Sequence, residues 1–339
     1  MSKMRAARLH GPRDLRLDEV PIPTPRQGEV LVRVERVGIC GSDVHLYAGH
    51  RQAPYPMILG HEAIGRIAAV GDGVSLGLVG RRAVVEPNIP CTTCPICRRG
   101  HGNVCPNKRV LGVNEDGVFA EYASIPASHA WVAPDDIPDP DLVLTEPLAV
   151  AVHALAASGL VPGDRAVVLG CGAIGLLLAH LMSAARISVT ALDLDPRRVQ
   201  VASGLGAAEA VVMSQEAGRE IAARMRETGE PATVFECSGA AAGAAWCIRA
   251  VPRRGRVLLL GLGADEVAFS PLHFVREGIE LVGSLIYDHP DDFRRALNLV
   301  EGGLRAGHLV EAEFPLEEAA AALQAAAESR FVKAVIRVT

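Results

Sequence analysis

The first 147 residues place apolar and polar side chains in short runs. Leu15–Val20, Glu29–Val37, Ala63–Val70 and Arg82–Val85 each read as a strand. Where the runs alternate, every second side chain falls on one buried face. Pro21, Pro23 and Pro25 punctuate one connection, and Gly71-Asp72-Gly73 marks a turn. Short strands broken by Pro and Gly predict a compact all-β barrel over residues 1–147, with chemistry-bearing side chains on loops at the strand ends.

From residue 148 the pattern changes. Arg165–Leu169 is a short strand run, followed by an apolar helix to about Ala185 and a second strand, Ile187–Leu192. Further runs at Ala210–Met213, Thr233–Cys237, Arg256–Leu260 and Ile279–Leu285 bracket helical segments near Ala217–Arg226 and Ala240–Ala250. Six strands alternating with helices predict a doubly wound parallel sheet over residues 148–285. The tail, residues 286–339, carries a helix from Asp291 to about Val300, an Ala-rich helix from Leu316 to about Glu328 and a strand at Lys333–Val338.

Composition narrows the class. At 339 residues the chain exceeds what one core usually serves. A net charge of −5 with mixed signs gives no basic footprint for nucleic acid. No apolar run is long enough to span a bilayer. Met1–His10 has basic residues but no apolar stretch of the secretory kind. Eight cysteines, five of them before residue 106 in patterned positions, fit cytoplasmic thiols and metal ligands better than a disulfide scaffold.

Three constellations carry chemistry. Cys40 and His61, with either Glu62 or the distant Glu146, offer the S, N and O donors of a catalytic zinc that keeps one position open. Alone, such a Cys and His are more often buried packing residues. Cys91, Cys94, Cys97 and Cys105 have two, two and seven residues between them in a Gly- and Pro-rich loop. That spacing reads as a tetrahedral structural zinc site, with disulfides as the alternative. Gly170-Cys171-Gly172-Ala173-Ile174-Gly175 lies between strand and helix, and Asp193 follows eighteen residues past Gly175. In that context the glycines form a dinucleotide fingerprint, placing pyrophosphate on the helix N-terminus. Asp193 would bind the adenosine ribose and favour NAD over NADP, although Arg197 and Arg198 follow closely. Ser238-Gly239 and Gly261-Leu262-Gly263, just past strand ends, are either walls for the nicotinamide or plain turns.

Together these stretches resemble the zinc-dependent medium-chain dehydrogenase/reductase family. They are Ile-Cys-Gly-Ser-Asp-Val-His (Ile39–His45), Gly-His-Glu (Gly60–Glu62), the four-cysteine lobe, Glu-Pro-Leu-Ala-Val (Glu146–Val150) and the glycine motif. The resemblance implies a GroES-like barrel as the catalytic domain, a Rossmann cofactor domain and a tail that returns to the catalytic domain. It also implies that Ser42 accepts the substrate proton, His45 relays it, Asp43 orients His61, Glu62 ligates or swings away, and Arg198 stacks on adenine. The implied partner is a small hydroxylated substrate, and the implied assembly a homodimer or homotetramer. Cys-Gly-Ser-Asp-Val-His with Glu-Pro-Leu-Ala-Val is similar to the polyol and sugar branch. Leu46–Pro56 departs from the longer aromatic loop of the sorbitol enzyme. Amino-alcohol or simple secondary-alcohol oxidation is the alternative activity, and a non-catalytic NAD(P)H-binding protein the alternative class.

Overall fold

The computed structural model describes residues 2–339. The chain divides into two compact units. One joins the residues up to Glu146 with Asp288–Thr339, and the other is Pro147–Tyr287.

Strand Glu29–Gly38 is the axis of the first unit. It pairs antiparallel with Glu62–Val70, with Tyr122–Pro126 and with the C-terminal strand Lys333–Arg337. Arg82–Val85, Ala130–Val132 and Val310–Pro315 complete a seven-stranded sheet, and Asp14–Pro21, Lys3–Gly11 and Met57–Ile58 form a three-stranded one. Val30, Val32 and Val34 are fully buried and Arg33 is exposed, as a period of two requires. A register shift between Val34 and Arg36 then moves the buried set to odd positions, keeping Val37 and Ile39 in the core. This irregularity sits just before Cys40.

Two sequence expectations need correction here. Ser42, Asp43 and His45 do not lie on a loop: they sit on helix Gly41–Tyr47, whose N-cap is Cys40. Cys40 and Asp43 form a capping box, and the Asp43 side chain takes the Cys40 amide at 2.9 Å, so local hydrogen bonding starts a helix that hydrophobic periodicity does not announce. The segment from Leu316 is a 3₁₀ turn, Leu316–Glu318, before helix Ala319–Ala327.

The second unit holds six parallel strands. Their spatial order is Glu209–Val212, Ser188–Asp193, Arg165–Leu169, Thr233–Glu236, Arg256–Leu259 and Glu280–Gly283. Counted in chain order this is 3-2-1-4-5-6, the doubly wound dinucleotide-binding arrangement. Ala166, Val167 and Val168 are all fully buried, because a sheet covered on both faces needs continuous apolar runs. Helix Gln215–Thr228 begins where Ser214 accepts the Ala217 amide and ends at Gly229, whose φ of 75° is left-handed. Among the described residues no helix is long and apolar enough to cross a membrane.

Candidate metal and nucleotide sites

The first unit brings together one atom each from Cys40, His61 and Glu62, all within 4.8 Å of one another. Cys40 caps its helix, while His61 and Glu62 lie where strand Glu62–Val70 begins. His61 and Glu62 are 7% and 1% exposed, so their polar atoms need partners inside the protein. Asp43, fully buried, places Oδ1 3.3 Å from His61 Nδ1 without the alignment of a full hydrogen bond, and the same oxygen accepts the Gly60 amide at 3.2 Å. One side chain thus holds the turn before His61 and stands beside its imidazole. Ser42 Oγ is 3.4 Å from His61 Nε2. His45 is exposed one helical turn further on, with its ring 5.8 Å from that of His50.

Burial pulls the His61 imidazole down, but the charges of Asp43 and Cys40 more than reverse this and hold it well above its ordinary value. The same anionic neighbours that favour a proton on this ring favour a metal ion in its place. A sulfur, a nitrogen and a carboxylate oxygen converging in one largely buried pocket fit a zinc ion. Glu146 is buried in the first turn of helix Thr145–Ser158 but does not come within 4.8 Å of all three other donors.

A residue missed in the sequence completes this pocket. Lys333, 3% exposed, forms an ion pair through Nζ with Glu62 Oε2. Burial lowers its affinity for a proton, yet Glu62, Cys40 and Glu146 together hold it above its ordinary value. Nothing in the local sequence marks Lys333, because its partner lies on a strand from the other end of the chain.

The four-cysteine lobe closes on itself. Cys91, Cys94, Cys97 and Cys105 have their sulfurs within 4.8 Å of one another, with Cys91–Cys97 and Cys94–Cys105 both at 3.9 Å. Four sulfurs about 2.3 Å from a tetrahedral zinc stand roughly 3.8 Å apart. None is in a disulfide, which removes that alternative. Backbone amides of Thr93 and Cys94 bring the Cys91 thiol down to about 6. Burial and the neighbouring sulfurs push Cys97 up to about 12. Without a cation the four cannot all ionise, so the donor set fits a metal.

In the second unit Gly170, with φ 98°, turns the chain out of strand Arg165–Leu169. At Gly175 a Cβ would come 1.9 Å from the Gly170 carbonyl oxygen, so only glycine lets the helix pack there. A Cβ on Gly172 would meet nothing within 4 Å, and helix Ala173–Ala184 starts there with no side-chain cap. Its first-turn amides are left without a side-chain cap, as a pyrophosphate site needs. Asp193 accepts the Cys171 amide at 2.6 Å and the Asp195 amide at 2.8 Å, which fixes the carboxylate at the strand end. Gly170, Gly172, Asp193, Arg198 and Ser238 line one cavity of about 1040 Å³. Gly261 and Leu262 do not line it. They pack beside Gly239, where a Cβ on Gly261 would come 2.1 Å from the Gly239 amide nitrogen. Glu236, also unmarked in the sequence, is 2% exposed and holds this corner by accepting the Ser238 amide at 2.8 Å and the Gly239 amide at 3.2 Å.

Glu86, His129 and His289 also come within 4.8 Å. The two imidazoles are stacked at 4.3 Å with planes 8° apart, so they do not aim lone pairs at one ion. Glu86 Oε2 instead meets Trp131 Nε1 at 2.6 Å and His289 Nδ1 at 2.8 Å, while Oε1 is buried without a hydrogen-bond partner.

A cysteine-rich β unit with a buried S, N, O donor set and a glycine-loop α/β unit in one chain define a metal- and dinucleotide-dependent oxidoreductase. Residues 26–135 match the alcohol dehydrogenase GroES-like domain and residues 172–302 the zinc-binding dehydrogenase domain. Sorbitol dehydrogenase of Bacillus subtilis (strain 168) is 32% identical over 334 residues, covering 95% of this chain and 93% of that protein. An alcohol dehydrogenase of Escherichia coli CFT073, solved with NADH, is similar in structure with a TM-score of 0.93, 30% identity and full coverage of both chains. The 2R,3R-butanediol dehydrogenase of Bacillus subtilis gives a TM-score of 0.87 and 30% identity, over 99% of this chain and 100% of that one. The chain belongs to the zinc-dependent alcohol dehydrogenases of the medium-chain dehydrogenase/reductase family, and is an NAD(P)-dependent enzyme.

Proposed function

We propose that the enzyme oxidises a secondary hydroxyl of a polyol, sugar, sugar acid or cyclitol to a carbonyl, with NAD as acceptor. The convergence of Cys40, His61 and Glu62 carries this reading. Sorbitol and butanediol, which name two similar enzymes, both present adjacent hydroxyls, supporting a substrate of that kind.

Zinc at Cys40 and His61, when bound, supplies Lewis-acid polarisation of the substrate hydroxyl. The neighbouring side chains manage the proton. Ser42, at the His61 ring, accepts it, and His45, exposed on the same helix, passes it to solvent. Asp43 orients His61, the support metal-bound histidines generally need. Glu146 stands by as a further carboxylate near the pocket. Bound NAD supplies the hydride acceptor. Gly170, Gly172 and the first amides at Ala173 and Ile174 cradle its pyrophosphate, with Gly175 packing the turn. Asp193 takes the ribose hydroxyls and repels a 2′-phosphate, and Arg198 stacks on adenine. Ser238, Gly261 and Leu262 wall the nicotinamide half.

The working form is a homo-oligomer. Strand Glu280–Gly283 ends the parallel sheet. Leu272 and Val275, one turn apart on helix Pro271–Glu277, are 61% and 81% exposed, which supports burial against a second copy. Eight free cysteines suit a reducing cytoplasm.

The deciding experiment follows NADH formation across polyols, sugar acids, cyclitols, amino alcohols and simple alcohols, with NADP in parallel and a chelator control. Chelator-sensitive turnover confined to adjacent-diol substrates is the expected result. Turnover only of amino alcohols, or none with zinc loaded, would reject the substrate class.

A further inference from the structure

We propose that Arg219, Arg226 and Arg249 form an anion subsite at the adenosine end of the cofactor cavity. It lies between helices Gln215–Thr228 and Ala241–Ala250, and it binds a small molecule bearing two or more phosphate groups while the dinucleotide is in place.

The cavity at the glycine loop is larger than its share of the cofactor. Its volume of about 1040 Å³ stands at the top of the roughly 300–1,000 Å³ that a pocket for a whole drug-sized ligand takes. Yet Gly261 and Leu262, the walls proposed for the nicotinamide, lie outside it, which leaves it only the adenosine half of the dinucleotide. The remaining space runs along the two helices. Gly218, Arg219, Ala222 and Arg226 line it from one helix, and Trp246 and Arg249 from the other. Trp246 Nε1 donates to the Gly218 carbonyl at 3.1 Å and ties the helices together. A Cβ on Gly218 would come 3.0 Å from that nitrogen and 2.9 Å from Met213 Cε, so the glycine sets how closely they approach.

The charge of this groove exceeds what NAD alone requires. Four arginines line the cavity against one carboxylate, Asp193. Arg198 serves the adenine in the reading above. Among the described residues, Arg219, Arg226 and Arg249 make no ion pair, whereas neighbours that do not line the cavity are paired. Arg224, on the same helix as Arg219 and Arg226, meets Glu209, and Arg197 meets Asp195. Arg226 and Arg249 stand in the last turns of their helices, where the helix dipole favours a cation. Arg219 stands in the N-terminal half of its helix, where the dipole gives it no such support. Arg219 and Arg226 are separated by about two turns, or about 10 Å along one helix face. Guanidinium forks at that spacing suit phosphates held apart better than one compact anion.

The test is calorimetric titration of the full zinc-loaded chain, saturated with NADH, using inorganic triphosphate, a hexose 1,6-bisphosphate and orthophosphate as probes. The first two should bind at one site per chain, at least about tenfold more tightly than orthophosphate. The tighter of the two tells a contiguous phosphate chain from phosphates carried on a carbon skeleton. Arg226→Gln/Arg249→Gln should weaken both about tenfold or more, and Arg219→Gln alone about threefold or more, with NADH affinity held within about threefold. All three arginines are exposed, so the variants should fold. Polyanions that bind no better than orthophosphate overturn the proposal, as does affinity that the substitutions leave unchanged. Binding seen only without NADH would place the polyanion on the glycine loop and overturn it too. So would a double variant that loses NADP affinity but keeps the polyanions, since the arginines would then serve a cofactor phosphate. None of these outcomes depends on which hydroxyl compound the enzyme oxidises.

Discussion

Asp43 serves His61 and Cys40 at once. One carboxylate oxygen stands 3.3 Å from His61 Nδ1, and the other accepts the Cys40 amide at 2.9 Å. A single fully buried acid therefore sets both the ring orientation of one donor and the backbone of the other. Asp43→Asn cannot serve both, because it replaces one acceptor oxygen with a donor amide facing the Gly60 N–H, 3.2 Å away. We expect zinc affinity at this centre to fall about 10- to 100-fold. Chelator competition with the structural zinc as internal reference checks it; unchanged affinity would mean that Asp43 only caps the helix.

The sulfurs of the four-cysteine lobe are spaced for a tetrahedral ion and carry no disulfide. Cys97→Ser should remove one zinc per chain and lower Tm by several degrees, a loss of about 1–3 kcal/mol at the scale of folding linked to metal. Residual activity per remaining catalytic zinc should survive at low temperature. A variant that keeps two zinc ions and its Tm would reject the assignment of this loop.

What the sequence revealed and hid follows from the range of the interactions. The strands of both units were legible because burial on one or both faces imposes a run or a period on neighbouring residues, as at Val30, Val32 and Val34 or Ala166–Val168. The glycine loop and the cysteine lobe were legible because their geometry is local. Helix Gly41–Tyr47 was read as loop, since its start is encoded by the Cys40–Asp43 capping box and its length allows no periodicity. Strand Val310–Pro315 went unread as well, for it alternates only partly buried and exposed residues. Lys333 could not be found at all. A buried lysine at a strand start looks like an edge residue until its distant acid, Glu62, is brought beside it.

Asp193 is fixed at the end of its strand by two backbone amides, so its charge cannot swing away from an incoming 2′-phosphate. Asp193→Ser should shift the NAD/NADP ratio of kcat/KM by tenfold or more towards NADP, with Arg198 already lining the same cavity. Steady-state kinetics with both cofactors measures it. A ratio that does not move would place cofactor choice on other residues.

His129 ties stability to pH. Burial lowers its pKa to about 4, helped by the neighbouring His289, which stacks on it and pairs with Glu86. Its Nδ1 contacts Ser128 Oγ at 3.0 Å, and the Asn88 backbone, which favours the charged ring, offsets the burial only in part. In the unfolded chain the same ring protonates near pH 6.5. Between about pH 6.5 and 4 the folded state therefore binds fewer protons than the unfolded chain does. Its stability is full above about 6.5 and is lost through the window from 6.5 towards 4, with a limiting slope of about 1.4 kcal/mol per pH unit. Acid also strips zinc from cysteine and histidine donors, so the contribution of His129 must be isolated by difference. His129→Gln removes the titration and leaves both zinc sites in place. The unfolding free energy of wild type minus that of the variant should be constant above pH 7 and should decline steadily below 6.5. Urea unfolding at several pH values measures this difference. A difference that stays flat down to pH 5 would show that the His129 ring is reached by water and titrates like an exposed imidazole.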